Sequence, residues 1–148
     1  MMDSENHLLF SLSGRTVMIT GGHRGIGACL AKGLAKAGKP NIAIVDVCSE
    51  SQVEPVLKDI EKSGSKALFC RADVSKKEEV HLAVKRIVEI FGSVDILVNN
   101  AGIARRVKGI DVDGSDWQDV LDVNLKGTLY CCQVAAEEMK KHKYGRII

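Results

Sequence analysis

Eight residues near the start of the sequence, Thr20-Gly21-Gly22-His23-Arg24-Gly25-Ile26-Gly27, have the composition of a phosphate cradle. The apolar run Val17-Met18-Ile19 leads into them and a helical pattern leads out. Strand, glycine turn and helix start in that order set free backbone N–H groups and the positive end of a helix dipole against an anion. A backbone passing close to a pyrophosphate leaves no room for a Cβ, which is what glycine supplies. On this reading Gly21 makes the tight turn, Gly25 allows close approach and Gly27 lets the helix pack on the strand. The spacing is Gly-x-x-x-Gly-x-Gly rather than the general Gly-x-Gly-x-x-Gly of dinucleotide sites. Methyltransferases also put glycines after a first strand, and an ordinary turn is the bland alternative. Asp46 adds context. It closes the next apolar run 19 positions after Gly27, near the ~20 expected of an acidic residue that meets a ribose. The absence of Gly-Lys-Ser/Thr disfavours a nucleotide triphosphatase loop.

The elements that must position these residues alternate. Strands are expected at 15–20, 42–47, 67–70 and 96–99, with a fifth beginning at Arg146-Ile147-Ile148. Continuous apolar runs of this kind suit parallel strands covered on both faces. A first helix is expected from Gly25 to about Ala37, burying Ile26, Cys29, Leu30, Gly33, Leu34 and Ala37. A second starts between Ser51 and Pro55, with Ser51-x-x-Glu54 as its capping box and Val53, Val56, Leu57 and Ile60 inward. Ser75-x-x-Glu78 marks the third, which buries Val80, Val84, Ile87, Val88 and Phe91. After the fourth strand comes a loop of about 14 residues carrying Arg105, Arg106 and Lys108, long enough to be functional or mobile. Those three are read as a solvated loop, with contact to an anionic substrate or a cofactor phosphate as the alternative. Ser115-x-x-Gln118 then caps a long fourth helix over 115–141, whose inward stripe is expected to hold Trp117, Val120, Leu121, Asn124, Leu125, Leu129, Cys132, Ala136 and Met139. Strands alternating with helices argue an α/β fold with a parallel sheet. Residues 1–13 read as a flexible leader, with Leu8, Leu9 and Phe10 available to fold back, and 14–148 as one domain.

Composition narrows the class. The 148 residues are 45% hydrophobic, enough for one core and too few for two. A net charge of +2 gives no bulk field for nucleic acid or membrane. Cys29, Cys48, Cys70, Cys131 and Cys132 are odd in number and form no Cys-x-x-Cys pair. They are read as reduced thiols in apolar sites of a cytoplasmic protein rather than a disulfide framework. The histidines have no zinc-type spacing, and no metal site is expected.

Four motifs now stand in order: Thr20-Gly21-x-x-x-Gly25-Ile26-Gly27, Asp73-Val74, Asn99-Asn100-Ala101-Gly102, and Asn124 within Asp122-Val123-Asn124-Leu125. Together they resemble the classical short-chain dehydrogenase/reductase family, from about Leu12 to Ile148. The resemblance implies a Rossmann-like doubly wound parallel sheet and reversible hydride transfer between a nicotinamide cofactor and an alcohol or carbonyl. It implies that Gly21, His23, Arg24, Gly25, Ile26 and Gly27 line the pyrophosphate and nearby ribose. Asp73 and Val74 would sit against the adenine, and Asn100, Ala101 and Gly102 would border the cofactor. Asn124 matches the family's catalytic asparagine, which holds a helix irregularity and a water relay to a lysine. A subunit interface through the long helix, giving a homo-oligomer, is implied as well.

Bland readings stand beside several of these. His23 is either a cofactor contact or a solvent-exposed turn residue. Asp73 either meets the adenine or anchors the turn before the third helix. Asn124 could be a hydrogen-bonded core residue. Asp46 favours NAD, because its carboxylate suits ribose hydroxyls and repels a 2′-phosphate. Arg24 argues the other way, and NADP stays open.

The sequence departs from the family pattern in one respect. Its chemistry needs a serine and a Tyr-x-x-x-Lys pair, since tyrosine with a pKa near ~10 is a poor base at neutral pH. Val134 follows Tyr130 by four and Ile148 follows Tyr144 by four. The chain is therefore expected to be the cofactor-binding half of such an oxidoreductase, cut at the start of the fifth strand, inactive and association-prone on its own. The alternative is a non-catalytic dinucleotide-binding or interaction protein. A methyltransferase ranks third, because Asn99-Asn100-Ala101-Gly102 and Asn124 have no role there.

Overall fold

The structure is a computed structural model and describes residues 11–105 and 108–148. The expected Leu8, Leu9 and Phe10 contacts and Arg106 lie outside the described residues. Within the expected leader, the Leu12 N–H donates to the Ala37 carbonyl at 2.7 Å, and its side chain packs against the buried cluster that holds Val17, Ile19 and Ala35.

Five strands form one all-parallel sheet in the order β3-β2-β1-β4-β5. They are β1 Thr16–Thr20, β2 Asn41–Asp46, β3 Ala67–Arg71, β4 Ile96–Val98 and β5 Arg146–Ile147. The helices between them are α1 Gly25–Ala35, α2 Glu50–Lys62 and α3 Lys77–Phe91, then α4 Gly114–Leu121 and α5 Thr128–Lys141 joined by a π-helical segment, Asp122–Gly127. A 3-10 turn, Gly109–Asp111, sits in the long loop.

The order reverses at β1, from which the chain proceeds outward first through β2 and β3 and then through β4 and β5. Pleating divides β1 between two cores. Val17 and Ile19 join Ala28, Ala31 and Ala35 of α1 and Val53, Val56 and Ile60 of α2. Met18 joins Val80, Val84 and Ile87 of α3 and Cys131, Val134 and Ala135 of α5. Helices thus lie on both faces, the Rossmann-like doubly wound arrangement. Every residue of β1 is buried, as a central parallel strand requires. Its first N–H is satisfied from β4's side: Asp95, itself buried, accepts from Thr16 N at 2.8 Å.

Two expected helix stripes are corrected. In α1 the buried residues are Gly27, Ala28, Ala31 and Ala35, while Ile26, Cys29, Leu30 and Gly33 are exposed. Small side chains let the helix axis approach the sheet, so the larger apolar residues are turned outward. In the 115–141 helix Trp117, Leu125 and Leu129 are exposed, and Gly127, Cys131, Val134, Ala135 and Met139 are buried. The π segment adds a residue to the turn and rotates everything after it by roughly one helical position, so no single 3.6 stripe runs through both parts.

The three expected capping boxes are also displaced. α2 is capped by Ser49, whose N–H donates to Gln52 Oε1 at 3.0 Å, and Pro55 lies inside the helix. Ahead of α3, Asp73 accepts from Ser75 N and Oγ, and Glu79 accepts from Asp73 N. α4 is capped by Asp113, whose Oδ1 accepts from Ser115 N at 2.8 Å and Asp116 N at 2.9 Å. These bonds hold the Asp113 carboxyl below its usual range, the Ser115 hydroxyl contributing most.

Candidate active site: a cavity at the strand ends

The C-terminal ends of β1, β2, β3 and β4 open into one cavity of about 330 Å³. Its walls bring together Gly21, His23, Arg24, Gly25 and Ile26 from the first turn, Asp46 from β2, Asp73 and Val74 after β3, and Asn100, Ala101 and Gly102 after β4. Eleven of the twelve positions expected to meet a cofactor share this one surface. The twelfth, Gly27, lies behind it. A Cβ there would collide with the Gly21 carbonyl oxygen and the Asn100 amide, so Gly27 keeps α1 against the strand rather than facing the cavity. Gly21 combines a positive φ of +66° with a close contact of its own, 2.8 Å from a built Cβ to Ala101 Cα.

One asparagine closes the turn. Asn100 Nδ2 donates to the carbonyls of Thr20 at 2.9 Å and Gly21 at 2.8 Å. In return Thr20 Oγ1 accepts from the Asn100 and Ala101 N–H groups, both at 3.0 Å. The threonine hydroxyl was not singled out from sequence. Its place between an apolar strand and a glycine was the signal, since a buried hydroxyl there must find partners.

Asp46 is buried, and N–H donors brace its carboxylate. Oδ1 accepts from Val47 N at 2.8 Å and Cys48 N at 3.4 Å. Oδ2 accepts from His23 N at 3.1 Å and His23 Nδ1 at 2.7 Å. His23 is therefore neither free in solvent nor simply a turn residue: it braces the acidic residue on the cavity wall. Cys48 Sγ completes a group of three metal-type atoms within 4.8 Å. Ligands at ~2.0–2.1 Å on one tetrahedral ion stand roughly 3.3 Å apart, and the 2.7 Å His23–Asp46 separation is instead that of a direct hydrogen bond. Burial and the Asp46 charge push the Cys48 thiol up.

Asn124 lies in the π segment next to Val123, a residue of the cavity wall, and is exposed rather than on the expected inward stripe. Its amide pairs with the backbone of one residue, accepting from Ile103 N at 2.8 Å and donating to Ile103 O at 3.0 Å. Thr128 Oγ1 donates to the Asn124 carbonyl at 2.9 Å, supporting an oxygen at the irregular turn. Ile103 and Val123, not anticipated from sequence, line the cavity beside it. Arg105 is held away from the cavity by two carboxylates, Asp116 at 3.0 Å and Asp119 at 2.9 Å. It is committed to α4 rather than offered to an anion. Asp73 lines the cavity and also anchors its turn, Oδ1 accepting from Ser75 N and Oγ.

The geometry at the start of α1 fits an anionic group. α1 begins with no side-chain cap and no acidic residue in its first turn, whereas α2 starts at a Ser49–Gln52 capping box with Glu50 in its first turn and α4 at Asp113, which accepts from two N–H groups. Beside that uncapped start, a Cβ built on Gly25 has no atom within 4 Å. The open N–H groups and the space belong to one place, where an oxyanion would complete the helix.

The comparisons with known proteins agree with this geometry. The chain is 37% identical over 134 residues to 3-oxoacyl-[acyl-carrier-protein] reductase FabG of Staphylococcus epidermidis, covering 90% of this chain and 54% of that protein. It is 32% identical over 140 residues to 2-dehydro-3-deoxy-D-gluconate 5-dehydrogenase of Formosa agariphila, covering 95% and 53%. Among solved structures, a short-chain type dehydrogenase/reductase from Mycobacterium marinum superposes with a TM-score of 0.89 at 33% identity, over 94% of this chain and 56% of that one. An NAD+-bound xylitol dehydrogenase gives 0.86 at 29%, over 92% and 52%. The chain spans about half the length of the curated relatives it matches. The short chain dehydrogenase family model matches residues 15–148, nearly the whole of the sheet and helices described above, and the chain belongs to that family.

Proposed function

We propose that the cavity binds the adenosine and pyrophosphate of a nicotinamide dinucleotide, and that the protein serves hydride transfer between that cofactor and an alcohol or carbonyl. The observation that carries this reading is the uncapped α1 N-terminus facing the same cavity as Asp46, Asp73 and Asn100. The pyrophosphate rests on the first turn of α1, the adenosine ribose meets Asp46, and the adenine lies along Asp73 and Val74. NAD is the preferred form, because a buried carboxylate repels a 2′-phosphate; Arg24, exposed at the α1 start, keeps NADP within reach. Asn124 takes the position of the family's catalytic asparagine through its hold on Ile103. Neither tyrosine has a lysine four residues on, so these 148 residues are expected to bind cofactor without turning it over. The exposed Trp117, Leu125 and Leu129 supply an apolar face for a homo-oligomer through the 115–141 helix.

The test is a fluorescence titration with NADH on the wild-type chain and on Ile26→Asp. Ile26 is 74% exposed, and an acid in a helix's first turn favours the dipole. The variant should keep its melting temperature and lose affinity at least about tenfold through repulsion of the pyrophosphate. Equal NADH affinity in the two proteins would sink the placement.

A further inference from the structure

We propose that His23 sets which adenosine ribose the cavity accepts: neutral, it holds Asp46 ready for a free 2′-hydroxyl, and protonated, it admits a 2′-phosphate. The inference rests on the dinucleotide reading above and extends it to a switch between two cofactor forms. Three of the four donors on the Asp46 carboxylate are backbone N–H groups of His23, Val47 and Cys48, fixed by the fold. The fourth, His23 Nδ1, is a side chain. A carboxylate only accepts, so Nδ1 carries a hydrogen, and in the neutral ring Nε2 is an acceptor without one. Protonation converts Nε2 into a second donor and places a positive charge against Asp46. It offsets the repulsion that a phosphate would meet there.

The ring is positioned to do this. Its side chain is 21% exposed, on the cavity wall and in contact with Asp46. The other charged or titratable groups around it come from each neighbouring element. Arg24 follows it at the start of α1. From the end of β2, Cys48 is held as a thiol by burial and by Asp46. Arg71 stands opposite Asp46 in the β2–β3 register. Past β3, Asp73 has Oδ1 occupied by Ser75 and Lys76 Nζ 4.0 Å from Oδ2. Of these side-chain types, imidazole is the one that ordinarily changes charge between about pH 5 and 8. The switch is local, since one hydrogen bond joins the titrating ring to the carboxylate that meets the ribose.

The experiment compares two probes that occupy only the adenosine end, adenosine 2′,5′-bisphosphate and 5′-AMP, by calorimetric titration at about pH 5.5 and about pH 8. The 2′-phosphate itself gains a proton near pH ~6 and so loses charge on acidification, which works against the expected effect. His23→Asn keeps a donor at the Nδ1 position and removes the titration, with His23→Gln as a second uncharged variant should the first melt early. In the wild type, preference for the bisphosphate over 5′-AMP should rise about tenfold from the higher pH to the lower, the equivalent of one protonation linked to binding. In the variants it should stay level or fall. A wild-type preference that does not rise, or one that rises equally in the variants, overturns the proposal while leaving the dinucleotide reading intact. Failure of both probes to bind at either pH overturns both.

Discussion

β1 and β5 belong to the same parallel sheet, two places apart, and have opposite surroundings. All five residues of β1 are buried between two helical layers, whereas β5 is exposed, with Ile147 at 45%. Each strand carries an isoleucine, Ile19 fully buried in β1 and Ile147 in β5 beside the charged Arg146, and each is paired to a neighbouring strand. The difference teaches that strand burial is conferred by what covers each face rather than by the residues in the strand. α1 and α2 cover β1 on one side and α3 and α5 on the other. The cavity follows the same division: the ends of β1, β2, β3 and β4 line it, and among the described residues β5 contributes none.

The strongest way to break this comparison is a pair of truncations. Met18→Ala opens a void in a fully buried site and should cost about 2–5 kcal/mol in chemical denaturation. Ile147→Ala, in the exposed strand, should change stability by no more than about 0.5 kcal/mol. Equal losses would mean that β5 is covered in solution. A smaller effect sharpens the boundary between the halves. Asn124→Ala removes both hydrogen bonds to Ile103, and at about 0.5–1.5 kcal/mol for each such bond it should leave the fold intact while raising hydrogen exchange at Ile103. Unchanged exchange at Ile103 would show that the asparagine does not hold the loop. The gentlest probe uses thiols. Burial pushes Cys131 up to about 12, so at mildly alkaline pH it should resist alkylation until the protein unfolds, while the exposed Cys29 reacts at once. Early labelling of Cys131 would show that the α5 face opens.

The legible parts of this chain were the local ones. The glycine turn, the apolar strands and the acidic end of β2 each declare themselves within a few residues, and their alternation with helices gives a parallel sheet. The helix faces were harder. Ile26 and Leu30 look like core residues until the sheet's distance from α1 is known, and only tertiary packing reveals that Ala28, Ala31 and Ala35 are the ones admitted. No fixed period registers the π segment, so Leu125 and Leu129 read as inward; Trp117 precedes it on α4, a helix with no buried residue. Ser-x-x-Glu and Ser-x-x-Gln patterns occurred at several registers, and Asp113 displaced Ser115 as the cap because its carboxylate accepts two N–H groups. At the site, the positions gathered in the cavity were readable as a motif set. The His23–Asp46 contact was not, because it joins the glycine turn to the end of β2 across the whole of α1.

The Asn100 amide that closes the glycine turn has a consequence for the order in which the molecule is made. It reaches Thr20 and Gly21 across 80 and 79 positions of chain, and Asp95 reaches Thr16 across 79. Pairing over such separations carries a large loop-closure cost that must be met before the contact rewards it. A ribosome adding roughly 5–20 residues per second releases the turn seconds before it releases the asparagine. Through that interval Thr20 and Gly21 keep their carbonyls in water. The first motif to leave the ribosome is therefore among the last to acquire its final shape.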